Sequence, residues 1–222
     1  MATQARGDRG LPFRLPNRTL APSDGGSRPP YVDPDLDPSL LLGLDRPEIA
    51  ASLADSAARG YTAVFLNVVD TRFRGDDPVN RYGDSPFRIP RIYWSVPDYI
   101  RQADFSTPRD AFFDLFAYFL QEAATRGMRV VAAPLRAAAD DESDGWSRAM
   151  QANGPGRMRL YGNYLGRRFG AYANISWTWD SSAHVPIDAL MRELIAGIDE
   201  ATTPREFAPG DGARPAASRR EP

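Results

Sequence analysis

Tyr61-Thr-Ala-Val-Phe-Leu-Asn-Val-Val69 is a nearly continuous apolar run, rich in residues that favour extended backbone. A strand wetted on one face alternates polar and apolar residues, whereas this run reads as a strand buried on both faces, as in a parallel sheet. The residues before it agree. Asp45 and Glu48 have the spacing of a capping box, and Pro47 falls in the first turn, where no backbone donor is needed. Ile49 and Leu53 open an apolar stripe, and Gly60 stands where a helix stops. A helix feeding a doubly buried strand is the repeat unit of a parallel α/β fold.

The unit recurs downstream. Thr107 and Asp110 predict a second cap, with Pro108 at the first helical position and Phe112, Phe116, Phe119, Leu120 and Ala123 as the buried stripe. Gly127 ends that helix, and Met128-Arg-Val-Val-Ala-Ala-Pro-Leu135 predicts the next strand. A third helix is predicted over 155–168, with Leu160, Tyr164 and Leu165 inward, followed by the strand Ala173-Asn-Ile-Ser-Trp-Thr-Trp179. The fourth helix, over 186–200, places Ile187, Leu190, Met191, Leu194 and Ile198 at helical spacing. Tyr31-Val-Asp33 is a short candidate first strand, giving the order βαβαβαβα. Residues 1–30 and 203–222 are rich in Pro, Gly, Arg and Ser, and are expected to be disordered.

Composition narrows the chemistry. The 222 residues, 42% of them hydrophobic, suffice for one core. No apolar run approaches the ~20 residues of a membrane span. The N-terminus shows arginines but no apolar signal core, so a cytoplasmic location is expected. There are no cysteines, and all 27 basic residues are arginine, which removes thiol nucleophiles, disulfides and lysine-based Schiff-base or phosphate-loop chemistry. A net charge of −2 leaves no basic footprint for nucleic acid. One histidine, His184, cannot build a multi-histidine metal site. Gly154-Pro-Gly156 opens a helix without a dinucleotide or Walker pattern. Carboxylates, hydroxyls and one imidazole remain, and neither metal nor cofactor is expected.

Two long connections, 70–107 and 136–154, follow the carboxyl ends of predicted strands, where α/β folds place their sites. The first carries Phe73, Tyr82, Phe87, Tyr93, Trp94 and Tyr99. These rings suit either of two tasks: stacking on pyranose faces, or pinning the connection to the fold.

Particular motifs resemble a known family. Gly145-Trp-Ser-Arg-Ala-Met-Gln-Ala-Asn-Gly154, Tyr161-Gly-Asn-Tyr-Leu-Gly-Arg-Arg-Phe169 and Ala173-Asn-Ile-Ser-Trp177 are similar to the apiosidase-like glycoside hydrolases of bacterial origin. So are Arg72-Phe73, Asn80-Arg-Tyr-Gly83, Pro86-Phe87 and Asp104-Phe-Ser-Thr-Pro108. The resemblance covers residues from about 31 to 200. It implies a partial (β/α)8 TIM barrel of about four βα units over 31–202, acting on a plant-type glycoside or oligosaccharide through a carboxylate pair.

The departures from the family are specific. Pro34-Asp35 stands where the family has Gly-Asp, Pro38 replaces a Trp, and Asp70 replaces a Glu. Trp179-Asp-Ser-Ser182 stands where a Gly-Gly-Asp is typical. A whole barrel needs roughly 250 residues, so a truncated barrel with weak or no activity is expected. Its unpaired sheet edge would drive self-association.

Asp180, Asp70 and Asp35 are the candidate catalytic carboxylates, with Asp140 or Asp141 as further strand-end acids. Each also has a structural reading: Asp180 as a helix cap, Asp70 as a rim residue paired with Arg72, and Asp35 as part of a turn in Asp33-Pro-Asp-Leu-Asp-Pro38. Asn67, Arg72, Phe73, Tyr82, Trp146 and Trp179 are the candidate substrate-binding residues. Trp177 and Trp179 alternate along one strand and so face one side, as a platform or as core. His184 is a site residue or an ordinary cap. Asp35, Asn67, Asp70 and Asp180 are expected to converge on the carboxyl-terminal face of the sheet. Two functions compete: hydrolysis of O-glycosidic bonds, or a catalytically silent carbohydrate-binding or structural remnant.

Overall fold

Pro34 and Pro38 decide how the sheet begins. A computed structural model of the protein describes residues 31–73, 77–92, 94–136, 146–179 and 185–202. In it the expected first strand shrinks to one parallel bridge between Val32 and Ala63. Beyond Val32, Asp33 Oδ1 accepts from the backbone of Asp35 at 3.0 Å, turning the chain away. The chain returns at Pro38, whose carbonyl accepts from Asn67 N at 2.9 Å. Proline has no N–H to extend the ladder, so the segment lends single hydrogen bonds rather than a strand.

A short helix α1 (Leu40–Gly43) follows, and then α2 (Arg46–Ala58). The expected capping box is present: Asp45 accepts from Glu48 N, and the Glu48 carboxylate accepts from Asp45 N at 2.8 Å. Gly60 takes φ 87°, the left-handed turn that lets the chain drop directly into β1 (Ala63–Asn67). The connection after β1 contains α3 (Val96–Gln102), which the apolar pattern did not reveal. Next come α4 (Asp110–Thr125), β2 (Arg129–Ala133), α5 (Ser147–Phe169), β3 (Ile175–Trp177) and α6 (Val185–Thr202).

The helix α4 starts differently from its predicted cap. Arg109 is the N-cap and its side chain does not cap the helix, its guanidinium donating instead to the Ser85 hydroxyl at 2.9 Å. Thr107 instead turns back, its hydroxyl donating to Asp104 O at 2.8 Å, while Pro108 forms an antiparallel bridge with Phe87. The third helix is longer than the pattern implied, because a turn from 147 to 153 precedes it. Gly154, at φ 67° and ψ 177°, breaks the axis between them, and Pro155 opens the second part. Leu160 points outward at 58% exposure, while Leu165 is fully buried.

The three strands form one parallel sheet in the order β1-β2-β3. Val64, Val130 and Ile175 stand side by side, as do Leu66, Ala132 and Trp177. Trp177 lies 6.1 Å from the Phe116 ring on α4 and 6.5 Å from Phe169 on α5. That row therefore faces the helices and makes the core. Asn67 and Ala133 belong to the alternate row, on the opposite face.

Candidate active site at the carboxyl end of β1

Asp70 is fully buried three residues beyond the last residue of β1. A carboxylate without water must find donors from the protein. Oδ2 accepts from the Ser39 hydroxyl at 2.7 Å and from Asn67 Nδ2 at 2.8 Å. Oδ1 accepts from Thr71 N at 2.6 Å and from Arg72 N at 3.3 Å. Two guanidiniums complete the surroundings, Arg136 Nη1 at 3.8 Å and Arg72 Nε at 4.0 Å from Oδ1. The cluster joins three segments: the returning chain at Ser39, the end of β1, and Arg136, whose N–H donates to Val69 O.

Ser39 escaped the sequence reading. Only its position after Pro38, whose carbonyl takes the Asn67 N–H, brings it beside Asp70.

Asp35 lies elsewhere. Its Oδ2 accepts from Arg59 Nη1 at 2.9 Å, and its side chain is 72% exposed. Arg59 caps the end of α2 and so marks the amino-terminal end of β1, opposite to Asp70. Asn67 and Asp70 meet as expected; Asp35 does not join them, because Pro34 and the Asp33 turn hold it back at the strand's start. Asp180, Asp140, Asp141, His184 and Tyr93 lie outside the described residues.

The aromatic candidates divide by burial. Trp146 is fully buried, its ring 5.7 Å from Phe87, 5.9 Å from Phe105 and 6.4 Å from Tyr99, all themselves buried. It offers no face to a ligand, because a run of apolar side chains in the long connection closes over it. Phe87 and Tyr99 pin that connection: the Tyr99 hydroxyl accepts from Phe87 N and donates to Phe87 O, both at 3.0 Å. Phe73 is partly buried against the core. Tyr82 is 51% exposed, with its hydroxyl accepting from Arg46 N at 2.9 Å. Trp179 is partly buried, its Nε1 donating to Asp188 Oδ1 on α6 at 3.2 Å. Asp188 also accepts from Arg192, and these two bonds hold its carboxyl below the usual carboxylate range.

Polar groups gathered at the carboxyl ends of parallel strands, with helices covering one face, are where α/β enzymes build their sites. In fold, the chain is similar to a solved glycoside hydrolase, with TM-score 0.51 and 17% identity over 73% of this chain and 32% of that one. A putative glycoside hydrolase from Bacteroides vulgatus gives 0.50 and 16%, over 74% and 31%. A glycoside hydrolase family 5 structure from the same organism gives 0.49 and 18%, over 73% and 31%. The chain thus spans about a third of the length of these proteins. No curated protein matches it. The Apiosidase-like catalytic-domain profile matches residues 38–213, and the chain belongs to that family.

Among the described residues, no group of three His, Cys, Asp or Glu could hold a metal ion. No described helix is long and apolar enough to cross a membrane.

Proposed function

We propose that this chain is a partial (β/α) barrel of glycoside-hydrolase type that recognises carbohydrate and turns it over weakly or not at all. Asp70 carries the reading. A nucleophile or general acid needs a free oxygen facing the substrate. Both oxygens of Asp70 are taken by hydrogen bonds from Ser39, Asn67, Thr71 and Arg72, and none of the carboxylate is exposed. Its work is to position others: it fixes the Asn67 carboxamide on the sheet face away from the helices, and holds two guanidiniums close by.

Hydrolysis of a glycoside also needs a partner carboxylate at about 5–5.5 Å for retention or about 6.5–9.5 Å for inversion. Asp180 is the residue proposed for that task, and Asp70 is poorly suited to complement it. The sugar-facing groups of this reading are Asn67, Arg72, Phe73 and Tyr82, and the ligand class is a plant-type glycoside or oligosaccharide. Self-association through β3 is part of the same proposal, since among the described residues β3 pairs only with β2.

Affinity electrophoresis through gels containing soluble plant polysaccharides tests the proposal. Retarded migration of the full chain in at least one gel is expected. Unchanged mobility in every gel, with an inert protein as reference, would remove carbohydrate recognition.

A further inference from the structure

Trp94 is 87% exposed, the most exposed large apolar side chain among the described residues. An indole carries 150–250 Å² of burial potential, so leaving it in water is costly without a partner. Exposure here does not come from a loose backbone. Trp94 N donates to Asp98 Oδ2 at 3.0 Å, and Asp98 N donates to the Ser95 hydroxyl at 3.3 Å, a reciprocal cap at the start of α3. The helix is anchored in turn by Tyr99, which clamps the backbone of Phe87 inside the buried aromatic cluster. The result is a flat ring in water on a fixed support, within the connection that leaves the carboxyl end of β1. The other three tryptophans are engaged inside: Trp146 is fully buried, and Trp177 and Trp179 pack against the core.

We propose that Trp94 is a stacking platform for an oligosaccharide of pyranoses whose ring hydroxyls are equatorial. This rests on the carbohydrate-binding reading above and names the residue that meets the sugar. The chemistry is a match of surfaces. A pyranose with equatorial hydroxyls presents only axial C–H groups on each ring face, which lie flat on an indole, while its hydroxyls remain at the edge in water. A single exposed ring covers one face of one sugar, whereas small-ligand pockets enclose ~70–90% of their ligand. An extended chain, with neighbouring residues contacting protein elsewhere, therefore fits Trp94 better than a monosaccharide.

The test titrates the full chain with cellohexaose and laminarihexaose, reading tryptophan emission and its quenching by acrylamide. Trp94 is the only well-exposed indole among the described residues, so its shielding dominates the quenching signal. Binding by the wild type with loss of acrylamide access is expected, with glucose giving no effect. Trp94→Ala should weaken binding about tenfold, the equivalent of ~1.4 kcal/mol, and Trp94→Phe should recover part of it. An exposed side chain can be removed without loss of fold, and an unchanged melting temperature documents that. Equal binding by wild type and Trp94→Ala would overturn the platform and leave carbohydrate recognition standing. No binding of either hexasaccharide by the wild type would overturn the platform as well. Retardation of that same wild type in the polysaccharide gels would still keep the broader reading, and its absence there would remove both.

Discussion

A β-carbon on Gly162 would overlap the backbone carbonyl oxygen of Leu194. The axes of α5 and α6 approach so closely here that only glycine fits, and Gly197 on α6 meets the backbone of Arg159 in the same way. Arg159 also bridges the two helices by pairing with Glu193 and Glu200. Because the obstructing atoms are backbone, neither helix can yield by moving a side chain.

Gly162→Ala is therefore expected to destabilise the fold by about 3 kcal/mol, lowering the melting temperature by roughly 6–12 °C. Gly156, on the same helix, has nothing within 4 Å of its would-be β-carbon. Gly156→Ala should leave stability unchanged or raise it by up to ~1 kcal/mol. Thermal melts of both variants, followed by circular dichroism, check the pair, and equal losses would contradict the close-packing account.

Asp70→Ala would leave the Ser39 hydroxyl and the Asn67 amide unpaired in a dry site beside two guanidiniums. A loss of about 3–5 kcal/mol is expected from urea titration. Ser39→Ala removes one bond to a charged group and should cost about 1.5–3 kcal/mol.

Asp35→Asn should behave oppositely to changes at Asp70. The carboxylate is 72% exposed and paired only at the surface, so a change in melting temperature below about 2 °C is expected. Carbohydrate binding should be unaffected, because Asp35 sits at the other end of the sheet. Loss of binding in this variant would place the site wrongly.

The carboxyl of Asp188 is held low by its bonds from Arg192 and Trp179. A folded-state pKa below the unfolded value of about 3.9 means the stabilisation is full above that pH and disappears as pH falls through the lower folded value. Asp98 and Glu200 are depressed too, chiefly by bonds from Gln102 and Arg159 respectively. Stability should therefore decline below about pH 4, and Asp188→Asn should flatten part of that decline. Melting temperatures of wild type and variant between pH 3 and 6 read this directly, and parallel curves would contradict it.

The helix-strand alternation was legible because local signals coincided: the Asp45–Glu48 box, the Gly60 and Gly127 stops, and doubly buried runs at β1 and β2. The first strand was not, since the effect of Pro34 and Pro38 depends on which ladder positions they occupy. The helix α3 is short, and its buried residues Tyr99 and Ile100 give too little periodicity to read. In the site, Asn67 and Asp70 could be paired from their place at one strand end. Trp146 could not be assigned, because stacking platforms and core rings share the same residue types and differ only in burial. Asp35 keeps the acid of the family's Gly-Asp but not its glycine, and the turn at Asp33 holds it beside Arg59, at the amino-terminal end of β1.

Steady-state turnover of a panel of aryl glycosides by the purified full chain, beside Asp70→Asn and Asp180→Asn, tests the central claim most directly. With Asp70 fully buried and enclosed by four hydrogen bonds, the wild type should show no or very weak hydrolysis, and Asp70→Asn should not change it. Robust turnover by the wild type that either substitution abolishes would contradict the account and make Asp70 or Asp180 part of a working catalytic pair.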